Sequence, residues 1–118
     1  MCIRDRQYPS ECSGGQLQRV SIARALSLSP EVIVFDEPVT ALDLPTALEI
    51  MELLQSFQKN LKLTYIFISH DLSMIQKISH RILVLKEGKM VEVGNAKDIV
   101  LSPSNAYTRD LVSAAFLL

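Results

Sequence analysis

Cysteine is scarce in this sequence, charge of neither sign is concentrated, and no apolar run is long. Its 118 residues include two cysteines, Cys2 and Cys12. That is too few for a disulfide framework, and with no Cys-x-x-Cys pair and no histidine nearby they lack metal-ligand spacing as well. Twelve basic residues face thirteen acidic ones, for a net charge of -1. Without a dense Lys/Arg cluster the electrostatic footprint of a nucleic-acid or anionic-membrane binder is missing, so no nucleic-acid partner is expected. Every apolar run falls far short of the roughly eighteen residues that span a bilayer. The start Met1-Cys2-Ile3-Arg4-Asp5-Arg6 has no apolar signal core, which makes the cytoplasm the expected compartment. No stretch reads G-x-x-x-x-G-K-[ST], so the loop that cradles a triphosphate is absent. Internal repeats and low-complexity segments are absent too.

What is present is a globular composition, 48% apolar, in a length that fits one small domain or part of one. Ser13 is a possible N-cap, and Leu17, Val20, Ala23 and Leu26 then recur at helical steps toward Ser29-Pro30. The run Val32-Ile33-Val34-Phe35 is β-branched and aromatic and too short for a helix, and it predicts a strand buried on both faces, as in a parallel sheet. Pro45 suits the first turn of a helix whose face is marked by Leu48, Met51, Leu54 and Phe57 through about Lys59. Residues 63–68 form a second β-rich run, so strand, helix, strand predicts a right-handed crossover between parallel strands. A short helix is expected over 71–78. Strands over 81–86 and 89–93 flank Glu87-Gly88 as a hairpin, and helices over 95–101 and 105–115 are separated by Ser102-Pro103-Ser104. The first residues, 1–7, are polar and unpatterned, and are expected to be a truncated or non-native start.

Four polar insertions carry the chemistry. Asp36-Glu37 follows the first apolar run directly, so both carboxylates are expected at the C-terminal end of a strand, where open α/β sheets bind ligands. An acidic pair there is also an ordinary solvated loop. Ser13-Gly14-Gly15-Gln16 opens a helix whose N-terminus offers unpaired N–H groups and roughly +0.5 of partial charge, and glycines let a phosphate come close to the backbone. Its plain alternative is a loop with a cap. His70 ends the second apolar run, and Asp43 stands where it can cap the Pro45 helix. His80 reads as a solvated residue at a helix end.

The order is more specific than any single member. Glu11 and Ser13 to Arg24, then Val32 to Pro38, Ala41-Leu42-Asp43 and Ser69-His70-Asp71-Leu72 resemble the second half of the ATP-binding cassette (ABC) ATPases, the motor subunits of ABC transporters. The resemblance runs from about Tyr8 to Ala115. It implies an α/β fold, the C-terminal half of a P-loop NTPase domain, in which parallel strands with crossover helices are followed by a β-hairpin and helices. Residues 8–94 would be a partial ATPase domain and 95–118 a C-terminal helical extension. By the same resemblance Asp36 holds Mg²⁺ through water and Glu37 orients and deprotonates the attacking water. His70 contacts the γ-phosphate. Ser13, Gly14, Gly15 and Gln16 form the signature motif that closes over ATP held by a partner subunit, and Asp43 belongs to the D-loop at that dimer interface. Cys12 stands where the family has a bulky apolar residue, and a thiol packs there as a small hydrophobe.

ATP and Mg²⁺ are thereby the implied cofactors. The implied partners are a second nucleotide-binding domain, identical or not, and transmembrane permease subunits that hold the protein against the inner face of the plasma membrane. Residues 63–73, Gly88 to Gly94 and Ala106 to Leu111 look like ATPase subunits of dipeptide and oligopeptide importers, with Ala106 in place of a proline common there. A soluble ABC-type ATPase of DNA repair or translation would share the four motifs, but the peptide-importer-like C-terminus and the lack of a basic patch speak against it. A non-catalytic remnant is a third reading, against which Asp36, Glu37 and His70 argue.

Overall fold

The computed structural model describes residues 13–116, in which five helices and four strands alternate. Expectations that rest on residues 1–12, including Glu11, Cys12 and the unpatterned start, lie outside the described residues. The chain divides into two compact units, residues 1–68 and 69–118.

The first unit opens with helix α1, Gly14–Leu26, followed by strand β1, Val32–Asp36, helix α2, Leu44–Leu61, and strand β2, Thr64–Ile68. β1 and β2 pair in parallel, Val32 opposite Thr64 through Asp36 opposite Ile68, with α2 as the crossover that parallel strands need. Phe35 stacks on Phe67 at 4.9 Å between ring centroids, and Tyr65 meets both rings edge-on. The Tyr65 hydroxyl donates to the Leu54 carbonyl at 2.8 Å, tying the aromatic face of the sheet to α2. This unit's core comprises Ile33, Phe35, Ala47, Ile50, Met51 and Leu54.

Burial corrects three expectations. The first strand is not covered on both faces: Ile33 and Phe35 are buried, whereas Val32 and Val34 are 51% and 57% exposed, since no described element lies over that side. On α2 the buried stripe is Ala47, Ile50, Met51 and Leu54, and Leu48 faces solvent, because α2 is apolar around more than one face and the sheet selects which face is covered. On α1 the expected stripe fails in the same way. Val20 is 62% exposed and Leu17 is also exposed, while Gly15 and Ile22 are the buried residues of the helix.

In the second unit, helix α3, Leu72–Ile78, leads into strands β3, Arg81–Lys86, and β4, Lys89–Asn95, which pair antiparallel, and then into helices α4, Ala96–Leu101, and α5, Ala106–Phe116. Glu87 and Gly88 both take positive φ, 50° and 74°, the condition that a two-residue type I′ hairpin turn sets. Glu92 on β4 accepts the backbone N–H groups of Ser104 at 2.7 Å and Asn105 at 3.1 Å, so a strand carboxylate caps the entry to α5. The Lys86 ammonium sits 4.8 Å above the Tyr107 ring and joins the same two elements.

The Glu92 carboxyl is held down at about 2 by the buried Thr108 hydroxyl beside it, which makes no well-formed hydrogen bond of its own, and then by the Ser104 and Asn105 N–H groups. A depressed carboxyl contributes stability above its unfolded pKa and loses it as pH falls through the folded one. The urea midpoint of the chain is therefore expected to fall between about pH 4.5 and about pH 2. In Glu92→Gln that slope flattens; an unchanged slope would remove Glu92 as its source.

Candidate functional site

The two adjacent carboxylates emerge where the sheet ends. β1 stops at Asp36, and the Glu37 N–H adds one more ladder bond, 2.8 Å to the Ile68 carbonyl, before the chain turns at Pro38. Glu37 takes a left-handed backbone conformation, φ 48°. For a residue with a Cβ this costs on the order of 1–3 kcal/mol and persists only where neighbours over-determine it. Here the ladder bond holds one side, and Pro38 on the other disfavours the right-handed helical region for the residue before it. The Thr40 hydroxyl then donates to the Glu37 carboxylate. Asp36 and Glu37 line a cavity of about 210 Å³ together with Gln18 and Ser21 of α1, Ile33 and Pro38. Carboxylates, an amide and a hydroxyl thus share one opening at the C-terminal end of a parallel strand, where they can hold a cation and a water.

The glycine-bearing segment is built as a cap. The Ser13 hydroxyl accepts the Gln16 N–H at 3.2 Å and the Gln16 side-chain carbonyl accepts the Ser13 N–H at 2.9 Å, a reciprocal capping box that satisfies two of the donors a helix start leaves open. At the neighbouring helix start Asp43 is the N-cap of α2, accepting the Thr46 N–H at 3.4 Å, and Pro45 lies in the first turn. Its carboxyl is lowered from the ordinary value, first by the Thr46 side chain and then by the Thr46 N–H. The two caps adjoin. A Cβ on Gly14 would come 3.0 Å from Leu42 Cδ2 and one on Gly15 would come 2.6 Å from Thr46 Cγ2, and Arg19 of α1 pairs with Glu49 of α2 at 3.0 Å.

His70 belongs to the second unit, exposed in the turn that starts α3. That turn is held by its flanking residues: Ser69 Oγ accepts the Asp71 N–H at 3.1 Å, and Asp71 Oδ1 caps α3 through the Met74 N–H at 3.1 Å and accepts the Ser73 hydroxyl at 2.6 Å. The Asp71 carboxyl is lowered chiefly by Ser73, with the charge of His70 a smaller cause. His80 is exposed and only its backbone carbonyl is engaged, by Ala96 N–H, among the described bonds. Among the described residues no group of three or more His, Cys, Asp or Glu side chains could hold a metal, and no helix is long and apolar enough to cross a membrane.

Residues 3–40 match the family profile of ABC transporters. Over 108 residues, 92% of this chain, the sequence is 48% identical to the oligopeptide transport ATP-binding protein OppF of Bacillus subtilis and 47% identical to the oligopeptide transport ATP-binding protein AmiF of Streptococcus pneumoniae. Over nearly its whole length the chain is similar to ATP-binding proteins of ABC transporters.

It carries part of an ABC ATP-binding domain, spanning 35% of the length of each of those two relatives. Against the glutathione import ATP-binding protein GsiA of Pectobacterium atrosepticum it is 46% identical over 109 residues, 18% of that protein. Among solved structures, a dimeric ATP-binding cassette in a post-hydrolysis state with ADP and Pi superposes with a TM-score of 0.67 and 37% identity over 76% of this chain and 38% of that one. An ABC transporter in an inward-facing conformation superposes with a TM-score of 0.75 and 28% identity over 92% of this chain and 40% of that one. The α/β arrangement of parallel strands, crossover helix and antiparallel hairpin is therefore a partial P-loop NTPase fold of the ABC ATPase type. Thr40, which bonds Glu37, and Thr46, which joins the two caps, were not singled out from the sequence. Their only signal was local: Thr40 is three residues after Glu37 and Thr46 three after Asp43.

Proposed function

We propose that this chain is the C-terminal part of an ATP-hydrolysing motor domain of an ABC importer that takes up peptides. The observation that carries the reading is the fixed pair at the end of β1, Asp36 followed by Glu37 in a left-handed conformation with Thr40 on its carboxylate. Phosphoryl transfer to water needs charge neutralised at the phosphates and a base in line with the nucleophile, and two adjacent carboxylates can divide that work. Asp36 is the metal-side residue. It is exposed at the strand end, and Mg²⁺ is ordinarily held by one or two carboxylates with phosphates and waters supplying the rest, so a lone aspartate without a three-ligand cluster fits. Bound Mg²⁺ would neutralise charge between the β- and γ-phosphates. Glu37 orients and deprotonates the attacking water, and His70 contacts the γ-phosphate. Ser13 to Gln16 and Asp43 face the nucleotide of a second, identical or different, ATP-binding domain.

The names of the relatives, oligopeptide transport and glutathione import, support a peptide cargo; permease partners and a place on the inner face of the plasma membrane belong to the motor reading itself. On this reading residues 8–94 are the partial ATPase domain and residues 95–118 its importer-type helical extension. Most of the grip on a triphosphate comes from a nest of backbone N–H groups in a P-loop, and the sequence contains none. The purified 118-residue chain is accordingly expected neither to bind MgATP tightly nor to hydrolyse it, and addition of a half-domain carrying a P-loop is expected to restore both. Phosphate release and binding of a fluorescent ATP analogue check this. Robust Mg²⁺-dependent hydrolysis by the chain alone would overturn the division of labour, and a joined protein that stays inactive would overturn the motor reading.

A further inference from the structure

We infer that Thr46 is a positioning residue that locks the start of α1 to the Asp43 turn, and that residue 15 is glycine because of the Thr46 methyl group rather than because of a phosphate. The contact stands on the structure alone; its consequence for turnover rests on the ATPase reading above.

Gly15 is a buried residue near the start of a regular helix. Among the described glycines only Gly88 has positive φ, so conformational freedom does not account for glycine at this position. Helix propensity would favour alanine there. What forbids a Cβ is space. It would lie 2.6 Å from Thr46 Cγ2, closer than real Cβ contacts come, and among the described side chains the next neighbour is Arg19 Nη1 at an ordinary 3.8 Å. Thr46 has little room to turn aside: on a helix its side chain is held to two χ1 rotamers, and its backbone N–H is tied to Asp43 Oδ2 at 3.4 Å. Methyl on Gly15 and backbone N–H on Asp43 make one threonine the joint between the two caps. A Cβ on Gly14 would likewise come 3.0 Å from Leu42 Cδ2, and the exposed Arg19–Glu49 pair joins the two helices one turn further on. The segments Ser13–Gln16 and Asp43, both directed at a partner's nucleotide in the ATPase reading, thus shift as one body.

The test is a double-mutant cycle of Gly15→Ala and Thr46→Ser, the latter removing the methyl and keeping the hydroxyl. It is read by thermal unfolding of the chain and by ATP turnover of the assembled ATPase that contains it. Gly15→Ala is expected to lower the unfolding midpoint despite its better helix propensity and to cut kcat by about 100-fold, the scale of an ångström-sized misplacement. Thr46→Ser alone, which loosens the joint but leaves room at residue 15, is expected to lower midpoint and kcat less than Gly15→Ala does, and the double variant to recover to the Thr46→Ser values in both; a Thr46→Ser protein with unchanged kcat would remove the positioning role. If the midpoint recovers but kcat does not, glycine is there for the phosphate and the inference falls. If neither recovers, the contact itself is wrong. A wild-type assembly without turnover would overturn the ATPase reading alone, and the unfolding arm would still decide whether Thr46 excludes a Cβ at position 15.

Discussion

Replacing Glu37 by Gln in the assembled ATPase is expected to lower kcat by about 10²- to 10⁴-fold, the range a positioned general base supplies, while leaving ATP bound. The change isolates the charge. Glutamine has the size of glutamate, its side-chain carbonyl can still accept the Thr40 hydroxyl, and the bond from residue 37 N–H to Ile68 is a backbone bond that the substitution does not touch. The left-handed backbone at residue 37 costs glutamine what it costs glutamate. An unchanged unfolding midpoint of the variant therefore separates chemistry from folding. Turnover near the wild-type rate would show that Glu37 is not the base.

The second large effect lies in the core. Leu54 is 1% exposed and its carbonyl carries the Tyr65 hydroxyl bond, with Ile50 fully buried one turn before it. Leu54→Ala is expected to destabilise the chain by about 2–5 kcal/mol, the lost transfer energy plus the cavity left behind. Leu48→Ala, on the exposed side of the same helix, should fall within about 0.5 kcal/mol of wild type. Urea unfolding of the two variants decides between the stripe that spacing suggested and the one the sheet covers. Equal losses, or a larger one at Leu48, would place α2 in the wrong rotation.

The elements themselves were legible because their signals are local. Ser13 with Gln16, Asp43 with Pro45, and Glu87-Gly88 each act within three or four residues through caps and turns, and the observed helices and strands begin at or beside them. β4 continues two residues past the expected end, to Asn95, and α2 runs to Leu61, closed by Lys62 at φ 53°. These are ordinary shifts at element ends. The Asp36-Glu37 pair was legible for the same reason, since an acidic pair at the end of an apolar run needs only the strand to place it.

Residue order and short-range chemistry, then, set the elements and the caps, and put Asp36 and Glu37 side by side at the end of β1. Tertiary structure decided which sides are covered. Around α2 the residues Leu48, Ile50, Met51, Leu53, Leu54 and Phe57 give several helical faces nearly equal apolar weight, and only the folded chain, with the Tyr65 hydroxyl on the Leu54 carbonyl, shows that Ile50 and Leu54 are the buried ones. It also decided pairings between residues far apart in the chain: Gly15 with Thr46, and Glu92 with the start of α5 twelve residues on. A glycine's reason and a carboxylate's partner are set by what arrives opposite them in space, and burial and steric exclusion of that kind leave no period in the sequence.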